Sequence, residues 1–98
     1  MGKEVRWTQE SIETFNKIIE YLEAKWASRD VENFVNSTAV VVKFISENPK
    51  MFRKTNKKNI REALVTPHNL MIYKITADKI DIITFWDTRQ NPKKKKHK

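Results

Sequence analysis

The sequence of 98 residues contains no cysteine and only one glycine. Without cysteine the chain forms neither a disulfide framework nor a thiolate metal site, which is compatible with a reducing cytosol. Long apolar segments are also lacking, since the uncharged run at residues 33–42 is far shorter than the ~20 residues of a membrane-spanning helix. The opening MGKEVRWTQE has no apolar centre of the kind found in signal peptides. We therefore expect one small cytoplasmic domain that makes no contact with a membrane.

Basic residues are in excess and are concentrated in two segments. The net charge is +8, with 20 Lys and Arg against 12 Asp and Glu. Residues 50–61 and residues 89–98 contain twelve of the basic side chains and none of the acidic ones, so the rest of the chain has a net charge of −4. A local excess of this kind attracts nucleic acid or an acidic protein partner, although a lysine-rich tail can also serve solubility alone.

The most strongly patterned part of the sequence is residues 59–92. Three runs rich in Ile, Val, Thr and aromatic residues are separated by the short turns TPHN and TADK. Runs of this composition are typical of strands, and short connections make them antiparallel neighbours. The pattern predicts a three-stranded meander at about residues 59–65, 69–76 and 79–87.

Strict alternation along these strands predicts which side chains share a face of the sheet. Arg61, Ala63 and Val65 would share one face of the first meander strand. The last strand would present two opposed sets: Ile80, Ile82, Thr84 and Trp86 against Asp81, Ile83, Phe85 and Asp87. Because both sets contain apolar residues, we expect this strand to lie inside the sheet.

The first quarter of the chain predicts a short strand at residues 3–7 and a helix at about residues 8–26. Thr8 is placed to cap the helix, and Trp7 and Ile12 have the spacing of a hydrophobic staple. The apolar stripe recurs at helical spacing: Ile12, Phe15, Ile18, Ile19, Tyr21, Leu22 and Trp26. We expect its aromatic side chains to anchor the core.

A second helix is predicted at about residues 29–48, with Ser28 as its cap and Pro49 as its stop. The β-branched Val40-Val41-Val42 lowers helix propensity, but the apolar spacing on both sides favours a helix over a strand. The short link between the two helices predicts an antiparallel helical hairpin.

The predicted fold is therefore α+β, in the order β-α-α-β-β-β, with the helical hairpin packed on one face of a mostly antiparallel four-stranded sheet. A single domain would cover residues 1–90, followed by a flexible basic tail at residues 91–98. In the basic connection at residues 50–58, Met51 and Phe52 would turn toward the core.

This order of elements resembles the RelE/ParE superfamily of small toxins from bacterial type II toxin–antitoxin systems. The matching motifs are Val5-Arg6-Trp7-Thr8 before a long amphipathic helix, the Pro49 stop, Arg61, the strand LMIYKI at residues 70–75, and DTRQNP at residues 87–92. The resemblance implies a growth inhibitor, associated with plasmid stabilization, that a cognate antitoxin protein neutralises. ParE-like members inhibit DNA gyrase, whereas RelE-like members cleave mRNA on the ribosome.

The candidate site residues are mainly basic. Arg61 and Arg89 are the candidates for holding phosphate, or for catalysis if the protein is a nuclease. Binding of the target or of nucleic acid would add Lys54, Lys57, Lys58, Trp86, Asp87, Lys93 and Lys94. A structural alternative pairs Arg61 with Asp81 or Asp87 across the sheet and uses Arg89 to cap the strand end.

Groups that could move protons for RNA cleavage are scarce in this sequence. Glu62 follows Arg61 but would point to the opposite face. His68 lies in a turn, His97 lies in the tail, and Tyr73 is expected in the core. This scarcity favours ParE-like gyrase inhibition over a metal-independent, ribosome-dependent endonuclease. We expect no cofactor, because no metal-spaced cluster is present. A non-toxic nucleic-acid-binding module is the alternative from another class.

Overall fold

The computed structural model describes residues 2–89, and the predicted tail lies outside them. The elements in chain order are β1 Glu4–Trp7, α1 Gln9–Lys25, α2 Ser28–Glu47, β2 Arg53–Lys54, β3 Ile60–Thr66, β4 Asn69–Ile75 and β5 Lys79–Asp87. Both predicted helices and all three meander strands are confirmed within one residue at each end. The valine cluster is helical, as expected.

The sheet has five strands in the order β1-β5-β4-β3-β2, one more than predicted. β1 is parallel to β5, and the other neighbours are antiparallel. The additional strand is β2, whose Arg53 and Lys54 pair with Glu62 and Arg61 of β3. A two-residue strand made of basic residues carries no apolar alternation, so sequence patterning does not reveal it. β5 lies between β1 and β4, which confirms its predicted position inside the sheet.

Thr8 joins β1 to α1 and attaches both to β5. Its Oγ1 accepts a hydrogen bond from the Ser11 amide at 3.1 Å, which caps α1 as predicted. The same hydroxyl lies 2.8 Å from the carbonyl oxygen of Ile82, to which it donates. Further along α1, Thr14 Oγ1 accepts the Phe85 amide at 2.9 Å. The start of α1 therefore takes the place of a neighbouring strand along the edge of β5 that β1 leaves open.

A β-bulge at Ile83 makes the predicted faces of β5 wrong beyond Ile82. Tyr73 pairs with Ile82, whereas the preceding Ile72 pairs with Thr84, so one residue of β5 has no partner in β4. The extra residue reverses the alternation, and Phe85 joins Ile82 in the core instead of pointing away from it. Alternation read from sequence cannot anticipate the reversal, because the polar groups freed at the bulge are satisfied by α1.

Aromatic rings from β1, both helices and β5 meet above this bulge. Phe15 lies with its ring centroid 4.9 Å from that of Phe34 and 5.1 Å from that of Phe85, and Trp7 stacks on Phe85 at 5.3 Å. Ile12, the predicted staple partner of Trp7, is 43% exposed. The cluster ties the helical hairpin to the sheet.

Three smaller predictions are wrong at the ends of the helices. Trp26 is 48% exposed and outside the core, because α1 ends at Lys25. Ser28 is the first residue of α2 and not its cap; the Asp30 carboxylate instead accepts the Ala27 amide at 3.0 Å. After α2, Phe52 packs against the core as expected, but Met51 is exposed.

Replacement of Thr8 tests the junction between β1, α1 and β5. Thr8→Ala removes the cap and the bond to β5, so the free energy of unfolding should fall by about 1–2 kcal/mol. Thr8→Ser keeps the hydroxyl and should recover most of that loss. Urea denaturation followed by circular dichroism measures both variants. Equal stability of Thr8→Ala and the parent chain would contradict the assigned role.

Candidate functional site

The two candidate arginines lie near opposite ends of the meander. Arg61 is in register with Tyr73 near the start of β3, whereas Thr66 at its end is in register with Asn69, which pairs with Asp87. Five residues of strand separate the two positions on β3, which corresponds to about 17 Å. Arg89 follows Asp87 at the far end. The structure therefore does not bring Arg61 and Arg89 into one site.

The end that carries Arg61 has an open pocket of ≈ 580 Å³, called here the basic pocket. It is lined by Lys50, Lys54, Thr55, Asn56, Lys57, Lys58, Asn59, Ile60, Arg61 and Ile75. The predicted residues Lys54, Lys57 and Lys58 thus lie around Arg61. Lys50 lies with them. In the sequence it was noted only as part of the same run of basic residues and not as a candidate site residue. None of the described residues in this lining is acidic.

Arg61 fastens the basic segment to the sheet. Its Nη1 donates to the carbonyl oxygen of Phe52 at 2.8 Å and to that of Lys50 at 3.0 Å. The structural alternative that pairs Arg61 with Asp81 or Asp87 is wrong, because Asp81 accepts from Arg6 at 3.1 Å and Asp87 binds Arg89. Because the charged guanidinium donates to two of its carbonyl oxygens, the basic segment is held beside β3 and β4.

Tyr73 binds the same segment one residue earlier in the chain than Arg61 does. Its ring is fully buried, as predicted, and its hydroxyl donates to the carbonyl oxygen of Pro49 at 2.7 Å. Burial raises the pKa of Tyr73 to about 12, and the charge of Arg61 opposes this only in part. The phenol therefore stays protonated at neutral pH, and its proton is already committed to a backbone oxygen.

The rest of the basic segment is folded by its own short-range contacts. Thr55 Oγ1 donates to the carbonyl oxygen of Ile60 at 2.8 Å and accepts the Lys57 amide at 3.2 Å. Asn59 has a φ of 64°, in the left-handed region that asparagine tolerates better than most residues. Its carbonyl oxygen accepts the Ile75 amide at 2.8 Å, which joins the turn to the end of β4. The basic pocket is thus the surface of a defined turn.

A buried polar network closes the opposite end of the sheet. Thr66 Oγ1 donates to Asn69 Oδ1 at 2.6 Å, and Asn69 Nδ2 donates to Asp87 Oδ2 at 2.6 Å. Arg89 donates to the same carboxylate through its amide at 2.8 Å and through Nη2 at 3.2 Å. The Asp87 side chain is 0% exposed, so Arg89 supplies the positive charge that this buried carboxylate requires.

Arg89 also covers the exposed ring of Trp26, with its guanidinium carbon 4.7 Å from the ring centroid. A cleft of ≈ 430 Å³ opens beside this contact. Its lining is Trp26, Asp30, Asn33, Ser37, Val65, Thr66, Pro67, His68, Asn69 and Arg89. The candidate Trp86 is not part of it and pairs with Leu70 in the sheet. The candidates Lys93 and Lys94 lie outside the described residues.

Within residues 2–89, no group of three or more His, Asp or Glu side chains is placed to hold a metal ion. No helix in the same range is both long and apolar enough to cross a membrane.

A two-helix hairpin on a short mixed sheet, with a basic segment before the meander, is the fold of toxins from type II toxin–antitoxin systems. The model of the family described as ParE toxin of type II toxin-antitoxin system, parDE, matches residues 5–92. The chain belongs to this family, which confirms the resemblance drawn from its motifs. No curated protein matches the sequence.

Solved structures with the same fold come from several toxin–antitoxin systems. The chromosomal ParDE system of P. aeruginosa gives a TM-score of 0.73 at 12% identity, covering 87% of this chain and 95% of that one. The E. coli DinJ-YafQ complex gives 0.62 at 12% identity, with coverage of 93% and 98%. RelBE2 of Mycobacterium tuberculosis gives 0.57 at 17% identity, with coverage of 89% and 99%.

The contribution of the buried Asp87 network to stability can be compared with that of an exposed ion pair. Asp87→Ala removes the carboxylate that holds Asn69 and Arg89, so the free energy of unfolding should fall by about 2–4 kcal/mol. The matched control Asp81→Ala breaks the exposed pair with Arg6 and should change stability by less than about 1 kcal/mol. Chemical denaturation measures both values. Similar losses in the two variants would show that burial does not set the contribution of Asp87.

Proposed function

We propose that this toxin inhibits DNA gyrase by binding, and that it is not a nuclease. The observation that carries the proposal is the chemistry of the basic pocket, which combines five cationic side chains with no acidic or histidine residue among the lining residues that the structure describes. A molecule that holds a protein–DNA intermediate needs charge and shape. A ribonuclease must also remove and deliver protons, which typically contributes about 10²–10⁴-fold to the rate.

Within residues 2–89, the side chains that could move protons are unsuitable or lie elsewhere, and His97 lies outside the described residues. The hydroxyl proton of Tyr73 is donated to Pro49, and the raised pKa of about 12 opposes its loss near neutral pH. Glu62 is in register with Ile72 on the face opposite to Arg61. His68 lies in the turn between β3 and β4, at the other end of the meander. This arrangement, together with the ParE family match, supports a ParE-like mechanism.

A RelE-like, ribosome-dependent mRNA endonuclease is the second candidate. It is favoured by the concentration of Lys54, Lys57, Lys58 and Arg61 in one pocket, since fixed positive charge can stabilise the phosphorane formed during RNA cleavage. A non-toxic nucleic-acid-binding module would have the same charge but no effect on growth.

Two assays on the purified protein separate these mechanisms. We expect inhibition of gyrase supercoiling at stoichiometric concentration and intact mRNA in a translating extract. Position-specific cleavage of ribosome-bound mRNA would overturn the gyrase proposal and assign the basic pocket to a ribonuclease. Absence of both effects, with binding of nucleic acid retained, would indicate the non-toxic module.

Arg61 is the side chain whose loss should affect inhibition most directly. Arg61→Ala frees the carbonyl oxygens of Lys50 and Phe52 and should weaken gyrase inhibition on the order of tenfold, equivalent to ~1.4 kcal/mol. Arg29→Ala, at an exposed position at the start of α2, is the charge-matched control and should leave inhibition unchanged. Circular dichroism confirms that both variants remain folded. An unaffected Arg61→Ala variant would remove the pocket from the mechanism.

A cognate antitoxin is the second partner that we propose. Several structures of the same fold are complexes of toxin with antitoxin, such as DinJ-YafQ and RelBE2. The chain exposes large apolar side chains that a partner could cover: Val35, Val40, Phe44, Met51 and Leu64. Acidic groups of the partner should lie near the basic segment at residues 50–58, because charge complementarity selects the partner and speeds association.

Co-expression with the protein encoded beside the toxin gene tests this partnership. We expect a soluble complex, restored growth, and weaker association when Lys54, Lys57 and Lys58 are all changed to Glu. The matched variant carries Glu at Lys17, Lys25 and Arg29 on the helices and should associate normally. Unchanged toxicity and solubility in the presence of the neighbour would contradict the proposal.

A further inference from the structure

The lysine ammonium groups around the basic pocket have no internal partners in the described part of the chain. Lys50, Lys54, Lys57 and Lys58 make no side-chain hydrogen bond or ion pair within residues 2–89. By contrast, Lys3 donates to the carbonyl oxygens of Thr76 and Ala77 at 2.8 and 2.9 Å. The four ammonium groups are therefore available to an external anion.

The chain holds these like charges close together despite their mutual repulsion. Arg61 and Tyr73 bind three carbonyl groups of the segment that enters the pocket, those of Pro49, Lys50 and Phe52. Thr55 and the left-handed Asn59 fix the turn that leaves it. An anion would therefore meet cations that are already positioned and would spend little free energy on ordering them.

We propose that the basic pocket is a binding site for the phosphodiester backbone of double-stranded DNA, with Arg61 and Tyr73 as positioning residues. The proposal deepens the gyrase mechanism and rests on it, because a gyrase inhibitor acts where DNA is bound to protein. The pocket would contact the DNA flanking the enzyme while the remainder of the toxin contacts protein.

The composition of the lining favours a nucleic-acid backbone over other anions. Five cations distributed along a pocket of ≈ 580 Å³ match a row of phosphates better than a single small anion. Within residues 2–89 no aromatic ring lines the pocket, so this part of the chain offers unstacked bases no platform, which favours a duplex over a single strand. Asn56, Asn59 and Thr55 add neutral polar groups of the kind that contact phosphate oxygens. Binding of this kind is independent of sequence and sensitive to salt.

Fluorescence anisotropy of a labelled DNA duplex, titrated with the full chain in the absence of gyrase, tests the site. Changing Lys54, Lys57 and Lys58 to Gln should weaken binding on the order of tenfold or more at physiological salt. It should also reduce the slope of log K against log salt by about 2.7, since each lost phosphate contact contributes about 0.9. Changing Lys17, Lys25 and Lys43 to Gln removes the same charge from the helices and should leave both values nearly unchanged.

A charge-conserving variant tests the positioning role. Tyr73→Phe removes only the hydrogen bond to Pro49, so a several-fold loss of duplex affinity, with unchanged circular dichroism, is expected. Tyr21→Phe on α1 is the matched control and should bind as the parent chain does. Equal affinity of Tyr73→Phe and the parent chain would overturn the positioning role.

Two results would overturn the DNA site itself. They are equal losses of duplex affinity in the two lysine variants, and tighter binding of a single-stranded RNA than of the duplex. If the protein binds the duplex through the pocket but does not inhibit gyrase, the proposed function is contradicted and the DNA site stands. Intact gyrase inhibition in the triple-lysine pocket variant would remove DNA from the mechanism.

Discussion

The hydrogen bonds from Arg61 and Tyr73 to the backbone after α2 determine where the positive charge of this molecule lies. Three carbonyl oxygens at the end of the helical hairpin accept from two side chains of the meander. A segment with no acidic residue would otherwise extend into solvent, because its own charges repel one another. Because the attachment uses neutral backbone oxygens, no acidic side chain of residues 2–89 neutralises the lysines of the segment. The fold thereby keeps a concentrated charge on its surface without pairing it internally.

Charged side chains have different partners at the two ends of the meander: a buried carboxylate at one end and backbone carbonyl groups at the other. At the far end, Asp87 is buried and receives Asn69 and Arg89, so that arginine is neutralised within the fold. At the near end, Arg61 meets carbonyl dipoles and keeps its charge. A group already paired with a buried carboxylate gains less from a phosphate than an unpaired one, since the first partner must be given up. The electrostatic contrast makes the basic pocket, and not the Arg89 end, the better surface for an anionic target.

The helices and the meander could be predicted from the sequence because each depends on local periodicity. Apolar spacing predicted the bounds of α1 and α2, and the position of Thr8 predicted the N-terminal cap that the structure confirms. The Ile83 bulge could not be predicted, since it depends on Thr14 of α1 accepting the Phe85 amide 71 residues away. The same limit applies to the site. The charge run predicted Lys54, Lys57 and Lys58, but nothing in the sequence linked Arg61 to carbonyl groups eleven and nine residues earlier.

Register explains why the two arginines suggested a single site when they belong to different ones. Both flank the meander in sequence, yet β3 and β5 run in the same direction with β4 between them. A residue at the start of β3 and a residue after β5 must then lie at opposite ends of the sheet. The antiparallel connections that made the meander predictable therefore already excluded a joint role for Arg61 and Arg89. A binding mechanism is compatible with this separation, because the basic pocket can hold an anionic target without Arg89, whereas a nuclease needs its charged groups within reach of one phosphate.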